Sequence, residues 1–128
     1  MFRRTIILVG LLTPVTNAQN APVIAPADAK DHIGRKVIVE MVVQSVRHVK
    51  DKKICFLNSE QNLLDNKNLA VVLTSQMIDQ MQDKGVEDLN EYFVKKKIRV
   101  SGQVSLYDNR PQVKVRSVEN LVILPASR

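Results

Sequence analysis

The chain has 128 residues, 45% of them hydrophobic, which suits one small domain with a single core. A single cysteine excludes an intramolecular disulfide, and two distant histidines give no metal-ligand spacing. The net charge of +6 is mildly basic, which is compatible with an anionic partner without requiring one.

The first 18 residues have the pattern of a secretory signal peptide. Arg3 and Arg4 precede an apolar run over residues 5–15, and small residues follow up to Ala18. The run is shorter than the roughly 20 residues that cross a bilayer. The sequence therefore predicts cleavage after Ala18 and an exported protein, periplasmic or secreted, without a membrane span in the mature chain. Cleavage would remove two arginines and no acid, which leaves a net charge of +4.

The next segments are predicted as a flexible tail over residues 19–32, with a helical turn near its end, and a long strand over residues 36–49. Alternate apolar residues place one face of this strand in the core, namely Val37, Val39, Met41 and Val43. Val46 falls out of that alternation, which predicts a bulge near Gln44 or Ser45 that lets one strand serve two halves of a barrel.

A lysine-rich turn leads to a second strand over residues 54–58, in which Cys55 is expected to be a buried hydrophobe. A polar loop follows, and then a third strand over residues 69–73. Thr74 or Ser75 is predicted to cap a helix that ends near Gly85, and a short helical turn reaches Phe93. The apolar faces of these helices are expected to close one end of the barrel.

The end of the chain, residues 98–124, predicts a β-hairpin. Two runs rich in β-branched residues flank the turn-forming residues 107–111. Gly102 lies inside the first arm, which indicates a bend or a close approach of neighbouring atoms.

Together these elements predict an all-β domain with one helical segment over residues 33–125, a five-stranded barrel in the order β-β-β-α-β-β. The order resembles the OB-fold, and most closely the nucleic-acid-binding group that includes tRNA-anticodon and helicase-associated domains and exported single-domain bacterial relatives. The resemblance rests on GRKVIV at residues 34–39, ICFLN at 54–58, IRVSGQV at 98–104 and YDNRPQV at 107–113. Met41 stands where such strands often carry a bending glycine, and Lys95-Lys96 replaces the usual Gly-Lys.

The resemblance implies binding through the face of the second and third strands, framed by the loops at residues 48–53 and 107–111. Cationic side chains there would contact phosphates, while Tyr107 would stack on a base or pack over the hairpin. Phe56, Tyr92 and Phe93 are expected in the core or at the closed end of the barrel. The candidate binding residues are Arg47, His48, Lys50, Lys52, Lys53, Tyr107, Arg110 and Lys114.

The predicted function is binding of single-stranded DNA or RNA, without a cofactor. The alternative is a protein- or glycan-binding adaptor that uses the same face, with Ile38 and Val42 as apolar contacts. Catalysis is not predicted, because the sequence contains no recognisable triad spacing and no glycine-rich phosphate loop. A nuclease site made of Asp51, Glu60 and Arg47 can be assembled on paper, but no pattern marks these residues out.

Overall fold

The computed structural model describes residues 21–125, and the predicted signal peptide lies outside them. The described chain is mostly β with a few helices. Its strands are β1 (Val23–Ile24), β2 (Lys36–Val42), β3 (Ser45–Val49), β4 (Ile54–Asn58), β5 (Ala70–Leu73), β6 (Lys97–Tyr107), β7 (Arg110–Val115) and β8 (Leu121–Ile123). The helices are α1 (Ser75–Asp83), α2 (Leu89–Phe93) and the 3-10 helices Pro26–His32, Lys50–Lys52 and Val118–Asn120. None of the helices within residues 21–125 is long and apolar enough to span a membrane.

The strands pair in the order β1-β2-β6-β7-β5-β4-β3, and β8 pairs with β6. All pairs are antiparallel except β1 with β2 and β5 with β7. This arrangement contains the five predicted strands and adds β1 and β8.

The first predicted strand is interrupted at Val43 and Gln44, where the sequence predicted a bulge. The Val43 amide donates to the carbonyl of Lys96, at 2.9 Å, and the Gln44 amide donates to the carbonyl of Asn58, at 2.8 Å. The backbone therefore changes partner between two adjacent residues, from the β6 side to the β4 side. The irregularity lies where the sequence predicted a bulge, but it is an interruption between two strands, and it explains why Val46 falls out of phase.

The core lies between the inward faces of the strands and the two α-helices. Val37, Val39, Met41 and Val43 are all buried, as their alternation predicts. Other large buried side chains are Leu57, Leu69, Leu73, Met77, Ile78, Leu89, Phe93 and Ile98. The Thr74 hydroxyl accepts a hydrogen bond from the Met77 amide, so Thr74 is the predicted N-cap of α1.

The segment predicted as a flexible tail contains regular structure from Val23 onwards. Val23 and Ile24 pair in parallel with Ile38 and Val39 of β2, and Ala29 in the following 3-10 helix is fully buried. The cause lies in β2, whose outer edge offers unpaired backbone groups. The Ile38 amide donates to the carbonyl of Pro22, at 2.8 Å.

The C-terminal hairpin is confirmed, with a two-residue turn at Asp108 and Asn109. Both residues have positive φ, 52° and 64°, which the primed turns of hairpins require. The predicted second arm is two strands rather than one. β7 pairs with the end of β6, and β8 returns to pair with its beginning, since an 11-residue strand is longer than β7 can cover.

Candidate functional site

The outward face of β3, β4, β5 and β7 is built from side chains that the strand register aligns. Arg47 lies opposite Phe56, Phe56 opposite Val72, and Val72 opposite Lys114. Residues directly opposite one another present their side chains on the same face of a sheet. This set, called here the cationic row, therefore has an apolar centre and a cation at each end.

A second row lies next to it and is polar. Asn58 lies opposite Ala70, and Ala70 lies opposite Gln112. The small side chain of Ala70 leaves a depression between the two amides. We call this set the amide row.

The orientation of the Asn58 amide follows from its neighbours. The Glu60 backbone amide donates to Oδ1 of Asn68, at 3.0 Å, so Nδ2 of Asn68 must point the other way. That Nδ2 donates to Oδ1 of Asn58, at 3.2 Å. Nδ2 of Asn58 is then a buried donor without a partner among the described residues, in a side chain that is only 3% exposed.

The two rows form the floor of a continuous groove. One part has a volume of about 360 Å³ and the other about 200 Å³, and Arg47, Phe56, Tyr107 and Gln112 line both. The cations along the groove are Arg47, Lys52, Arg110 and Lys114, against one acid, Asp108. The groove therefore presents positive charge around an apolar and aromatic floor.

Two aromatic side chains belong to this groove. Tyr107 is 69% exposed on the β6–β7 hairpin. Phe56 is half-buried, and the guanidinium of Arg47 lies over its ring, 5.8 Å from the centroid. A cation at that distance is attracted to the face of the ring.

The outward position of Phe56 differs from the sequence prediction, which assigned it to the core. Cys55 and Leu57 take the inward positions of β4, and strict alternation then sends Phe56 outward. Tyr92 is not a core residue, because it is 40% exposed, but it lies on α2 and packs edge-on against Phe93 with ring centroids 5.0 Å apart. Phe93 itself is fully buried, as predicted.

Five of the eight predicted binding residues lie along the groove, and these are Arg47, Lys52, Tyr107, Arg110 and Lys114. Arg110 is also tied to the loop after β4, since its Nη1 donates to the carbonyl of Leu63, at 3.2 Å. This bond holds the β6–β7 hairpin against that loop at one end of the groove.

The other three predicted residues lie elsewhere. His48 is opposite Cys55 in the register, so its side chain is on the other face of β3 from Arg47. Nζ of Lys53 donates to Oδ1 of Asp79 in α1, at 2.9 Å, which directs this lysine away from the groove. Lys50 is exposed on the 3-10 helix and does not line either part of the groove.

Three groove residues lie outside the strands and loops that the sequence predicted for the binding face, namely Leu63, Asn68 and Gln112. Others lie within those ranges but were not named as binding residues, namely Val49, Ile54, Phe56, Asn58, Ala70, Val72, Asp108 and Pro111. The alternation of residues 54–58 contained a usable signal, because a strand with Cys55 and Leu57 inward must present Phe56 outward. The apolar character of both faces obscured it.

The thiol with a raised pKa lies outside this groove. Burial raises the pKa of the Cys55 thiol to about 12, but Cys55 faces the core and not the groove. Within residues 21–125, no cluster of three His, Cys, Asp or Glu side chains is arranged to hold a metal ion.

Comparison of the sequence with protein-family models and with curated proteins found no match. Solved structures do match. The OBody AM1L10, in its structure bound to hen egg-white lysozyme, is 12% identical, with 80% of this chain and 93% of that chain covered and a TM-score of 0.54. Asparaginyl-tRNA synthetase from Entamoeba histolytica is 11% identical over 83% of this chain, with a TM-score of 0.53. The enzyme from Pyrococcus horikoshii is 16% identical over 81% of this chain, with a TM-score of 0.50.

The chain spans only about a quarter of the length of these synthetases, 24% and 23% respectively. At such low identity the likeness concerns the fold. This chain is therefore an OB-fold protein, similar in structure to one part of the tRNA synthetases.

Proposed function

We propose that this protein binds single-stranded nucleic acid along the groove. The observation that carries the proposal is the cationic row, in which Phe56 and Val72 lie between Arg47 and Lys114. A single strand offers alternating phosphates and flat apolar bases, and this row offers cations beside an aromatic ring. Tyr107 adds a second ring at the hairpin end of the same groove.

The two kinds of contact contribute different energies. Stacking of a base on an aromatic side chain is worth roughly 1–3 kcal/mol, whatever the base. Phosphate contacts release counterions, so their contribution falls as salt rises. With two rings and four cations along the groove, both terms contribute, and we expect a strand of several nucleotides to be held without strong sequence preference.

The fold supports this assignment. OB-folds that bind nucleic acid do so on the strand face that carries the groove here. Two of the similar structures are asparaginyl-tRNA synthetases, enzymes named for a nucleic acid. We further propose that the sheet closes as a five-stranded barrel through the joint at Val43 and Gln44, and that the site binds rather than catalyses.

The test is affinity for labelled oligonucleotides over a salt series. We expect log affinity to fall linearly with log salt, by about 0.7 for each phosphate contacted. Tyr107→Ala and Phe56→Leu should each weaken binding several-fold and leave that slope nearly unchanged, because stacking releases few ions.

Tyr92→Ala is the matched control, since Tyr92 is an exposed aromatic that does not line the groove. Its affinity should equal that of the unaltered protein. The proposal is rejected if no binding is measurable at low salt, or if Tyr92→Ala weakens binding as much as Tyr107→Ala.

A second candidate function is binding of a protein partner at the hairpin end of the groove. Leu63, Leu64 and Tyr107 are exposed there, and the hydrogen bond from Arg110 to Leu63 joins the segments that carry them. The OBody, which is similar along nearly its whole length, is bound to a protein, hen egg-white lysozyme, in its structure. Ile38 and Val42 do not contribute to this surface, because they lie on β2, outside the groove. Leu64→Ser would weaken protein binding and leave oligonucleotide affinity unchanged.

A further inference from the structure

A second cationic groove lies beside the first, off the strand face that the OB-fold resemblance implicates. It has a volume of about 460 Å³ and is lined by three cations, Lys36, Lys114 and Arg116, and by no acidic residue. Its remaining lining residues are Ala21, Val37, Ser101, Gly102, Gln103 and Asn120. We call this surface the gap groove, because it lies at a gap in the strand pairing of β6.

The gap groove follows from how β6 exchanges partners. On one edge of β6, residues 98–100 pair with β8 and residues 104–107 pair with β7. Residues 101–103 between them have no partner on that edge among the described strands, although β2 pairs with their other edge. Gly102 lies in the middle of this gap and lines the groove together with its neighbours Ser101 and Gln103.

In the gap groove, two polar side chains are hydrogen-bonded within the protein, whereas the cations are not paired with carboxylates among the described residues. Nε2 of Gln103 donates to the carbonyl of Gly34, at 2.8 Å, and the Ser101 hydroxyl donates to Oδ1 of Asn120, at 3.4 Å. The ion pairs within residues 21–125 are Lys53 with Asp79 and Arg99 with Glu40, so the three cations of the gap groove have no carboxylate partner there. Like charges gathered in one concavity repel each other, and a bound anion relieves that repulsion.

Lys114 joins the two grooves. It is the terminal cation of the cationic row and also lines the gap groove. A strand with a base over Phe56 meets Lys114 at the end of that row, and Arg116 and Lys36 continue the positive surface beyond it.

We propose that the gap groove binds phosphates of the same nucleic-acid strand, immediately beyond the nucleotides that lie on the OB face. This inference rests on the proposed function and extends it. The gap groove supplies backbone contacts without base contacts, so it lengthens the bound strand and leaves sequence preference unchanged.

The test compares a short and a long single strand, of about 5 and about 15 nucleotides, on the full chain. The double variant Lys36→Gln with Arg116→Gln removes two gap-groove cations and keeps Lys114. For the long strand we expect weaker binding and a salt slope shallower by about 1.4, which is two contacts at about 0.7 each. For the short strand we expect both quantities to be unchanged. Lys84→Gln with Lys97→Gln is the control, because it removes the same charge from exposed residues outside both grooves.

Each outcome decides between named alternatives. If the unaltered protein binds neither strand, the proposed function itself fails. If it binds both and the gap-groove variant behaves like the control variant, the face binds and the gap-groove inference is overturned. Equal weakening for the short and long strands would also overturn it, since the effect would then be general electrostatics. A further experiment titrates inorganic phosphate into the unaltered protein and into the gap-groove variant at constant ionic strength. If the variant loses phosphate binding but keeps its affinity for the long strand, the gap groove binds free anions and the inference is overturned.

Discussion

Gly102 shows how much one absent side chain can determine. It lies opposite the buried residue Val37, between the buried positions Val100 and Val104, so it occupies an inward position of β6. A Cβ atom there would lie 2.8 Å from Cγ1 of Val113. The glycine therefore lets β7 pack closely against β6.

We expect Gly102→Ala to destabilise the fold by about 1–3 kcal/mol, because an extra methyl in a packed core forces its neighbours to move. The loss of chain entropy in the unfolded state favours the alanine by only about 0.4–1 kcal/mol, so the clash decides the sign. Urea unfolding measures the effect. Ser101→Ala, one residue away and exposed, should stay within about 0.5 kcal/mol, and equal midpoints for the two variants would contradict the packing argument.

The buried thiol of Cys55 leads to a second prediction at the residue scale. Burial raises the pKa of its thiol to about 12 from an ordinary value of 9.0. The folded protein therefore keeps the proton at pH 10 while the unfolded chain loses it, so the free energy of unfolding should fall as pH rises from about 9 towards 12. The slope is at most about 1.4 kcal/mol per pH unit.

The measurement is urea unfolding across that pH range, with Cys55→Ala as the comparison. The variant should be less stable overall, and its free energy of unfolding should lack the part of the fall with pH that comes from the thiol. In the same pH range the native thiol should resist alkylation until the protein unfolds. Fast alkylation of the native protein at pH 8 would show that Cys55 is accessible.

At the scale of elements, the turn between β3 and β4 separates two neighbouring lysines. Lys52 closes the 3-10 helix and lines the groove, whereas Lys53 adopts a left-handed conformation, with φ 50°, and pairs with Asp79 of α1. The backbone reversal between them sends the two ammonium groups to different surfaces. The sequence assigned both lysines to one binding loop.

We expect Lys52→Ala to weaken oligonucleotide binding and to flatten its salt slope by about 0.7, because one phosphate contact is lost. Lys53→Ala should leave that slope nearly unchanged and cost at most about 1 kcal/mol of stability, as exposed ion pairs do. The two variants have the same charge, so each is the control for the other. Equal slopes for both would mean that the turn does not separate the lysines in solution.

These elements also show what the sequence can predict. Period-two alternation located the inward residues of β2, and the loss of phase at Val46 located the break before β3. Local patterns could not place Lys53, since its partner Asp79 is 26 residues away and enters through the packing of α1. Phe56 could have been placed by local pattern, since Cys55 and Leu57 inward require Phe56 outward, but the apolar residues on both faces of β4 hid this alternation.

At the scale of the whole molecule, the described fold begins at β1, close to the predicted processing site. Residues 19–22 separate Ala18 from Val23, the first residue of β1. We propose that the protein is exported and processed after Ala18, on the basis of its dibasic start, short apolar run and small residues. Cleavage there would leave β1 and its pairing with β2 intact.

Mass spectrometry of the protein recovered from the medium or the periplasm tests this proposal, and Gln19 is the expected first residue. Arg3→Glu with Arg4→Glu should reduce export, because the basic start of a signal peptide is then lost. Recovery of a chain that starts at Met1 in the membrane fraction would contradict a soluble, processed product.

The break at Val43 and Gln44 also separates two strand pairings that can form at different times during folding. β3 pairs with β4 through Ser45 and Asn58, only 13 residues apart, whereas β2 pairs with β6 through Lys36 and Gln103, 67 residues apart. During synthesis, 45 residues must be added after Asn58 before the partner of Lys36 exists, which takes about 2–9 s at ribosomal speed. The half of the strand that carries Arg47 can therefore form a hairpin early, while the pairing of β2 with β6 waits until residues 97–103 have been synthesised.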